Sequence, residues 1–212
     1  MIRVDVEQGS KEWAEARLGI PTASSFHRIL TPKTMKLSGS SESYKNELLA
    51  EWMMGASLDP AVSEYMDRGK ELEAQAVGAY EFEKDCETEK VGFVLRDDRR
   101  CGASPDRLVG DKGGLEIKCP SASVHVEYML GVPSKYNCQV QGGIWVCERE
   151  WWDFMSFHPD MPRAIVRIHR NDVFIKQLAA AVDQFCDQLW SARETLRMSG
   201  VVPKARNVEV PF

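Results

Sequence analysis

The sequence contains no CxxC pair. None of its six cysteines (Cys86, Cys101, Cys119, Cys138, Cys147, Cys186) has a histidine at metal-ligand spacing. A zinc site is therefore not expected, and the cysteines read as reduced thiols in a core. No apolar run approaches the roughly 18 residues a membrane helix needs. The longest uncharged stretches, such as 136–147, carry Asn and Gln, so no membrane association is expected. The first twenty residues hold Arg3, Asp5, Glu7, Lys11, Glu12, Glu15 and Arg17, leaving no apolar core for a secretory leader. A cytoplasmic location is the expectation. Positive charge is also in deficit: 27 Lys and Arg against 32 Asp and Glu give a net charge of −5. A non-specific coat for nucleic acid is excluded on that balance.

What is present is ordinary for a globular protein: 43% hydrophobic and 28% charged residues over 212 positions, enough for a real core. The charge is uneven. Residues 11–45 carry six basic side chains against three acidic ones, so any polyanion site is local and set in an acidic exterior. No repeat, linker or low-complexity block divides residues 1–212, which read as a single domain.

Along the chain, a short helix is expected over 13–18, ended by Gly19, with Pro21 before a second short helix from Ser24. Residues 31–41 read as an exposed loop, and Ser41 or Ser43 as the cap of a helix running to Met54 with Gly55 as its stop. A longer helix is expected from about Ser63 to Lys84, with Tyr65, Leu72, Ala76 and Tyr80 as its apolar stripe. The period then changes from 3.6 to 2. Strands are expected around Val91–Leu95, at 107–110, at 114–118, at 151–157 and at 164–168. Helices at 123–130, 134–146 and 172–198 complete an α/β (α+β) pattern around a central sheet.

The chemistry-bearing segment is Ser104-Pro105-Asp106 followed by Leu115-Glu116-Ile117-Lys118. In a strand Glu116 and Lys118 share a face that Leu115 and Ile117 do not. A three-residue turn at 111–113 would set Asp106 opposite Lys118 and Leu108 opposite Glu116, uniting Asp106, Glu116 and Lys118. Two carboxylates sharing a hard divalent cation provide a nucleophilic hydroxide, and a nearby ammonium orients the water or absorbs charge. Such a D…ExK pattern also fits an ordinary surface hairpin carrying a Glu–Lys pair.

Five blocks then occur in order: Trp13-Ala14-Glu15-Ala16-Arg17-Leu18-Gly19-Ile20-Pro21-Thr22-Ala23-Ser24, Arg68-Gly69-Lys70-Glu71-Leu72-Glu73, Cys101 to Asp106, Leu115 to Pro120, and Tyr136-Asn137-Cys138-Gln139-Val140-Gln141. Together they resemble the lambda exonuclease family, the YqaJ-like phage recombination nucleases of the PD-(D/E)xK superfamily. The resemblance implies a restriction-endonuclease-like core with a central mixed sheet flanked by helices. It implies a Mg2+-dependent 5′-to-3′ exonuclease on double-stranded DNA ends, with two metals per site and Mn2+ as a substitute. The ligands it implies are Glu73, Asp106, Glu116 and the Ile117 carbonyl, with Lys118 catalytic. A pocket of Arg17, Ser24, Ser104 and Gln139 for the terminal 5′-phosphate follows from the same motifs, and Met66 falls where the family places a strand-separating wedge. A ring-shaped homotrimer, a single-strand annealing partner, release of mononucleotides and a bacterial-host cytoplasm are further implications. An internally cutting endonuclease or junction resolvase, or an idle DNA-end clamp, are the alternatives.

Taken singly, these residues have plain readings too. Glu73 fits a solvated helix face, Arg17 a surface pair with Glu12 or Glu15, Ser24 a helix cap, and Gln139 and Gln141 a wet helix. Trp145, Trp151 and Trp152 read as core. His27, His125, His158 and His169 are scattered, and none is expected to be a ligand.

Overall fold

The computed structural model describes residues 1–58 and 64–205, the side chains of 64–71 excepted. Chain order is β1 (Ile2–Val4), α1 (Lys11–Arg17), a 3-10 turn (Ala23–Arg28), β2 (Leu30–Thr31), β3 (Lys36–Leu37), α2 (Ser41–Met54) and α3 (Glu64–Lys84). Five short strands follow: β4 (Thr88–Glu89), β5 (Phe93–Leu95), β6 (Gly102–Ala103), β7 (Arg107–Val109) and β8 (Gly113–Lys118). Then come α4 (Ala122–Leu130), a 3-10 turn (Ser134–Tyr136), α5 (Asn137–Val146), β9 (Trp151–Ser156), β10 (Ala164–His169) and α6 (Asp172–Met198).

The central sheet has the order β10-β9-β8-β7-β4, with β8 and β9 parallel and the other neighbours antiparallel. A parallel pair needs a crossover, and α4 and α5 provide it. The sheet is covered on both faces. Ala76 and Tyr80 of α3 pack on Val109, Leu115, Ile117 and Met155. Val140 and Ile144 of α5 join Leu108, Trp152 and Phe154 in the larger core on the other face. This is a mixed sheet flanked by helices, the layering expected from the sequence. A smaller sheet, β1-β5-β6, sits beside it and delivers the chain to Ser104.

The helices form where composition and caps allow. Ser10 caps α1 by accepting from the Trp13 N–H at 3.1 Å, and Asn171 caps α6 by accepting from the Phe174 N–H at 3.0 Å. Along α6, Ile175, Leu178, Val182, Phe185, Cys186, Leu189 and Arg193 are buried, a 3.6-residue stripe facing the core. Cys101, Cys138, Cys147 and Cys186 are buried free thiols, and Cys86 and Cys119 are half-buried free thiols. Trp152 is core, while Trp145 and Trp151 pack against it from partly buried positions.

Several expectations need correction. The 31–41 stretch is not all loop, because β2 and β3 form a small hairpin within it. Neither Ser41 nor Ser43 caps α2: its cap position is Ser40, which makes no side-chain capping bond, and the Ser43 hydroxyl donates back to the Ser40 carbonyl. Ser24 lies inside the first 3-10 turn, whose cap position is Thr22. The expected helix over 134–146 is a 3-10 turn and then α5. Met66 and Tyr65 lie outside the described side chains.

The β7–β8 register also differs. Arg107 faces Leu115, Leu108 faces Gly114 and Val109 faces Gly113, so the connection is 110–112 rather than 111–113. Gly110 takes the left-handed turn position at φ +53, and Gly113 is drawn into the strand. A Cβ there would come within 2.2 Å of the Trp151 ring, so only glycine fits under that indole. The slip is two residues, and a slip of two leaves every side chain on its expected face.

Candidate active site

Asp106 lies between β6 and β7, and its Oδ2 accepts from the Ile117 N–H at 2.6 Å. That bond ties the carboxylate to the middle of β8, one residue from Glu116 on one side and from Lys118 on the other. Glu116 is buried on the α5 face of the sheet. It accepts from the Lys118 ammonium and, at 2.6 Å, from the Gln139 amide of α5. Asp106, Glu116 and Lys118 are thus brought together as the strand period requires. Lys118 also lies 5.4 Å from the centre of the Tyr136 ring. The Tyr136 hydroxyl meets that of Tyr128 at 2.8 Å.

Glu73, on α3, approaches from the opposite face. Its Oε1 accepts from Arg107 Nη1 at 3.1 Å, and the same Nη1 donates to the Asp106 carbonyl. Arg107 was not legible from the sequence as a partner; its only signal was its place directly after Ser-Pro-Asp. Glu73 is therefore not a merely solvated helix residue. The carboxylates converge, but each is turned onto a protein donor. Among the described residues no three His, Cys, Asp or Glu side chains are grouped so as to hold a metal ion as they stand.

The electrostatics show what the cluster lacks. Desolvation, and then the neighbouring Glu116 carboxylate, push the Asp106 carboxyl well above the usual carboxylate range. Burial opposes the charge on Lys118, yet Glu116 and Asp106 outweigh it and hold the ammonium above its ordinary value. Two acidic groups share one ammonium, and positive charge is short. Cys119 does not compete as a soft ligand: burial, with Glu73 beside it, pushes its thiol up to about 11. The donors are carboxylate and carbonyl oxygens in a cluster needing positive charge, which fits a hard divalent cation. Asp106 and Glu116 offer such oxygens as placed; Glu73, paired with Arg107, does not.

The four residues expected at a phosphate divide between two places. Arg17, in the last turn of α1, lays its guanidinium 3.9 Å from the Trp13 ring centre. The Trp13 indole N–H in turn donates to Ser104 Oγ and to the Gly92 carbonyl, each at 3.1 Å. One aromatic side chain thereby holds Arg17 and Ser104 together, a role the sequence did not disclose. Ser24 pairs with the Thr22 hydroxyl at 3.1 Å. The parallel bridge Thr22↔Gly102 sets the two serines two residues beyond paired positions. Gln139 sits instead against Glu116. Gln141 is structural: it donates to the His169 carbonyl and accepts from the Asn171 N–H, pinning the start of α6. Gln8 was missed as well; its amide donates to the Pro105 carbonyl at 2.7 Å and steadies the Ser-Pro-Asp turn. Arg17 and Trp13 line a groove of about 1030 Å³ with Arg28, Tyr44 and Leu48.

Comparisons with known proteins agree with this architecture. The model of the YqaJ-like viral recombinase domain matches residues 12–150. The crystal structure of LHK-Exo in complex with dAMP superposes with a TM-score of 0.80 at 33% identity, covering 90% of this chain and 98% of that one. An alkaline exonuclease, LHK-Exo, from Laribacter hongkongensis matches at TM-score 0.80 and 32% identity, over 90% and 98% of the two chains. A phage related exonuclease from Haemophilus somnus 129PT shares the fold, with a TM-score of 0.58 at 19% identity over 82% and 96%. No curated protein matches the sequence.

Proposed function

The chain belongs to the YqaJ-like viral recombinase family, and from that premise we propose that it is a Mg2+-dependent exodeoxyribonuclease. It digests one strand of linear double-stranded DNA from the 5′ end, releases mononucleotides and leaves a 3′ overhang for annealing. The observation that carries the reading is the meeting of Asp106, Glu116 and Lys118 at one end of the sheet, short of positive charge. The alkaline exonuclease LHK-Exo, crystallised with dAMP, supports it.

Asp106, Glu116, the Ile117 carbonyl and a reoriented Glu73 would hold two Mg2+ ions, for which Mn2+ can substitute. Such ions, when bound, make water nucleophilic near neutral pH and polarise the phosphoryl oxygen. Arg17 grips the terminal 5′-phosphate as a bidentate fork, with Ser24 and Ser104 donating neutral hydrogen bonds and Gln139 joining them once its amide turns from Glu116. Holding that phosphate fixes which phosphodiester reaches the carboxylates. Lys118 donates to the attacking oxygen and to the phosphoryl oxygens on which charge grows. Its own charge is secured by Glu116, so it acts as a donor rather than as a base. Met66 as a strand-parting wedge, a ring of three copies around the duplex, a single-strand annealing partner and a cytoplasmic location complete the proposal; no described helix is long and apolar enough to cross a membrane.

The test is Lys118→Ala on a 5′-phosphorylated linear duplex labelled at either end, with Mg2+ and with chelator. Loss of the ammonium donor should lower kcat about 100-fold or more. Digestion at the parental rate would overturn the proposal, and nicking of a closed circle by the parent would show an internally cutting enzyme instead.

A further inference from the structure

Gly19 lies in the opening motif that carries Arg17, two residues past the end of α1, and it is held from both sides. Its N–H donates to Glu51 Oε2 at 3.2 Å, and its carbonyl accepts from Arg193 Nη2. Arg193 lies on α6, 174 residues away, and is 5% exposed. Gly19 has φ +69, and a Cβ on it would stand 2.8 Å from Arg193 Nη2 and 3.1 Å from the Trp52 Cβ. The turn therefore has no slack, and the Ile20 N–H closes it back onto the Arg17 carbonyl at 3.1 Å.

Arg193 is an unusual choice for such a contact. Its Nε is buried with no hydrogen-bond partner, and the bond its guanidinium makes from Nη2 goes to a neutral carbonyl rather than to a carboxylate. Its guanidinium lies 5.5 Å from the Trp52 ring centre. Burial pulls its pKa down to about 10, so it stays charged at neutral pH. A buried cation without a counter-ion is costly, and an apolar side chain of similar shape would fill the space more cheaply. What Arg193 supplies that an apolar residue cannot is a directed bond to the Gly19 carbonyl.

We propose that Arg193 is a positioning residue for the 5′-phosphate pocket: through Gly19 it sets the angle at which Arg17 leaves α1. The inference rests on the phosphate-pocket reading of Arg17. It makes the C-terminal helix, which lies beyond the matched domain, part of end recognition.

The experiment compares Arg193→Met and Arg193→Lys with the parent on duplexes bearing 5′-phosphate or 5′-hydroxyl ends. Amide hydrogen exchange at residues 17–20 and thermal stability are followed alongside. Arg193→Met should raise KM for phosphorylated ends about tenfold, with a smaller change in kcat, and narrow the preference for phosphate over hydroxyl. Arg193→Lys should restore part of the preference. Faster exchange at 17–20 with thermal stability kept or raised upholds the role. An unchanged preference with unchanged exchange overturns it, as does an equal fall on both end types together with a lowered melting temperature, the mark of a plain structural strut. Should the parent not distinguish the two ends, the phosphate-pocket reading falls by itself. The exchange result then decides the Arg193 contact alone: faster exchange keeps its hold on the loop, and unchanged exchange ends the proposal.

Discussion

Single side chains in this protein do work that their neighbours define. Asp153 on β9 is 1% exposed, yet it carries charge into the core because three donors meet it. The Tyr80 hydroxyl donates to it at 2.7 Å, and Arg167 Nε and Nη2 donate in a fork at 2.8 Å each, with the guanidinium 3.6 Å from the Trp151 ring centre. Removing one partner of such a group strands the others. Asp153→Ala should lower unfolding free energy by about 3–5 kcal/mol, read from urea denaturation, because Arg167 and Tyr80 lose their acceptor together. A loss below about 1 kcal/mol would mean that solvent reaches the site. Arg17 is the corresponding case for function. With its guanidinium on Trp13, Arg17→Ala should slow digestion of phosphorylated ends far more than it alters Mn2+ affinity measured by titration. Equal losses in both would place Arg17 at the metals rather than at the phosphate.

Among elements, the pairing of β8 with β9 governs the site, since β8 carries Glu116 and Lys118. The register is enforced by two indoles lying on two glycines: Gly113 faces Trp151 and Gly114 faces Trp152. A Cβ on Gly114 would stand 2.3 Å from the Trp152 ring, which is itself buried and cannot retreat. Gly114→Ala should therefore cost about 1–3 kcal/mol by denaturant melt, with kcat falling as well because the strand bearing Glu116 must move. Wild-type stability in that variant would show that the two strands tolerate a shift. The strand was legible in the sequence because Leu115 and Ile117 alternate with Glu116 and Lys118. Its pairing partner was not, since a parallel neighbour 38 residues away leaves no mark in local periodicity.

For the molecule as a whole, the thiols set a pH limit. Burial pushes Cys138, Cys147 and Cys186 up to about 12, and Cys101 well above its ordinary value. The folded protein thus keeps thiol protons that the unfolded chain releases near pH 8.5–9. The stability tied to them is complete below that point and is lost as pH climbs through the folded values. At pH 10 each fully buried thiol should have withdrawn about 1–2 kcal/mol. Denaturation midpoints under reducing conditions should fall between pH 8 and pH 10; a flat profile would show that the thiols are accessible in the native state.

Read alone, the sequence determined the mixed α/β class, the long C-terminal helix at 172–198, the buried free thiols, and the face shared by Glu116 and Lys118. Each of these follows from side-chain period or composition, which the chain carries locally. Only tertiary structure decided that Trp13 joins Arg17 to Ser104, that Arg107 holds Glu73, that Gln139 turns to Glu116, and that Arg193 reaches back to Gly19. The hydrogen bonds among them link positions from 23 to 174 residues apart, and they exist because layered packing around one sheet brings distant residues within reach.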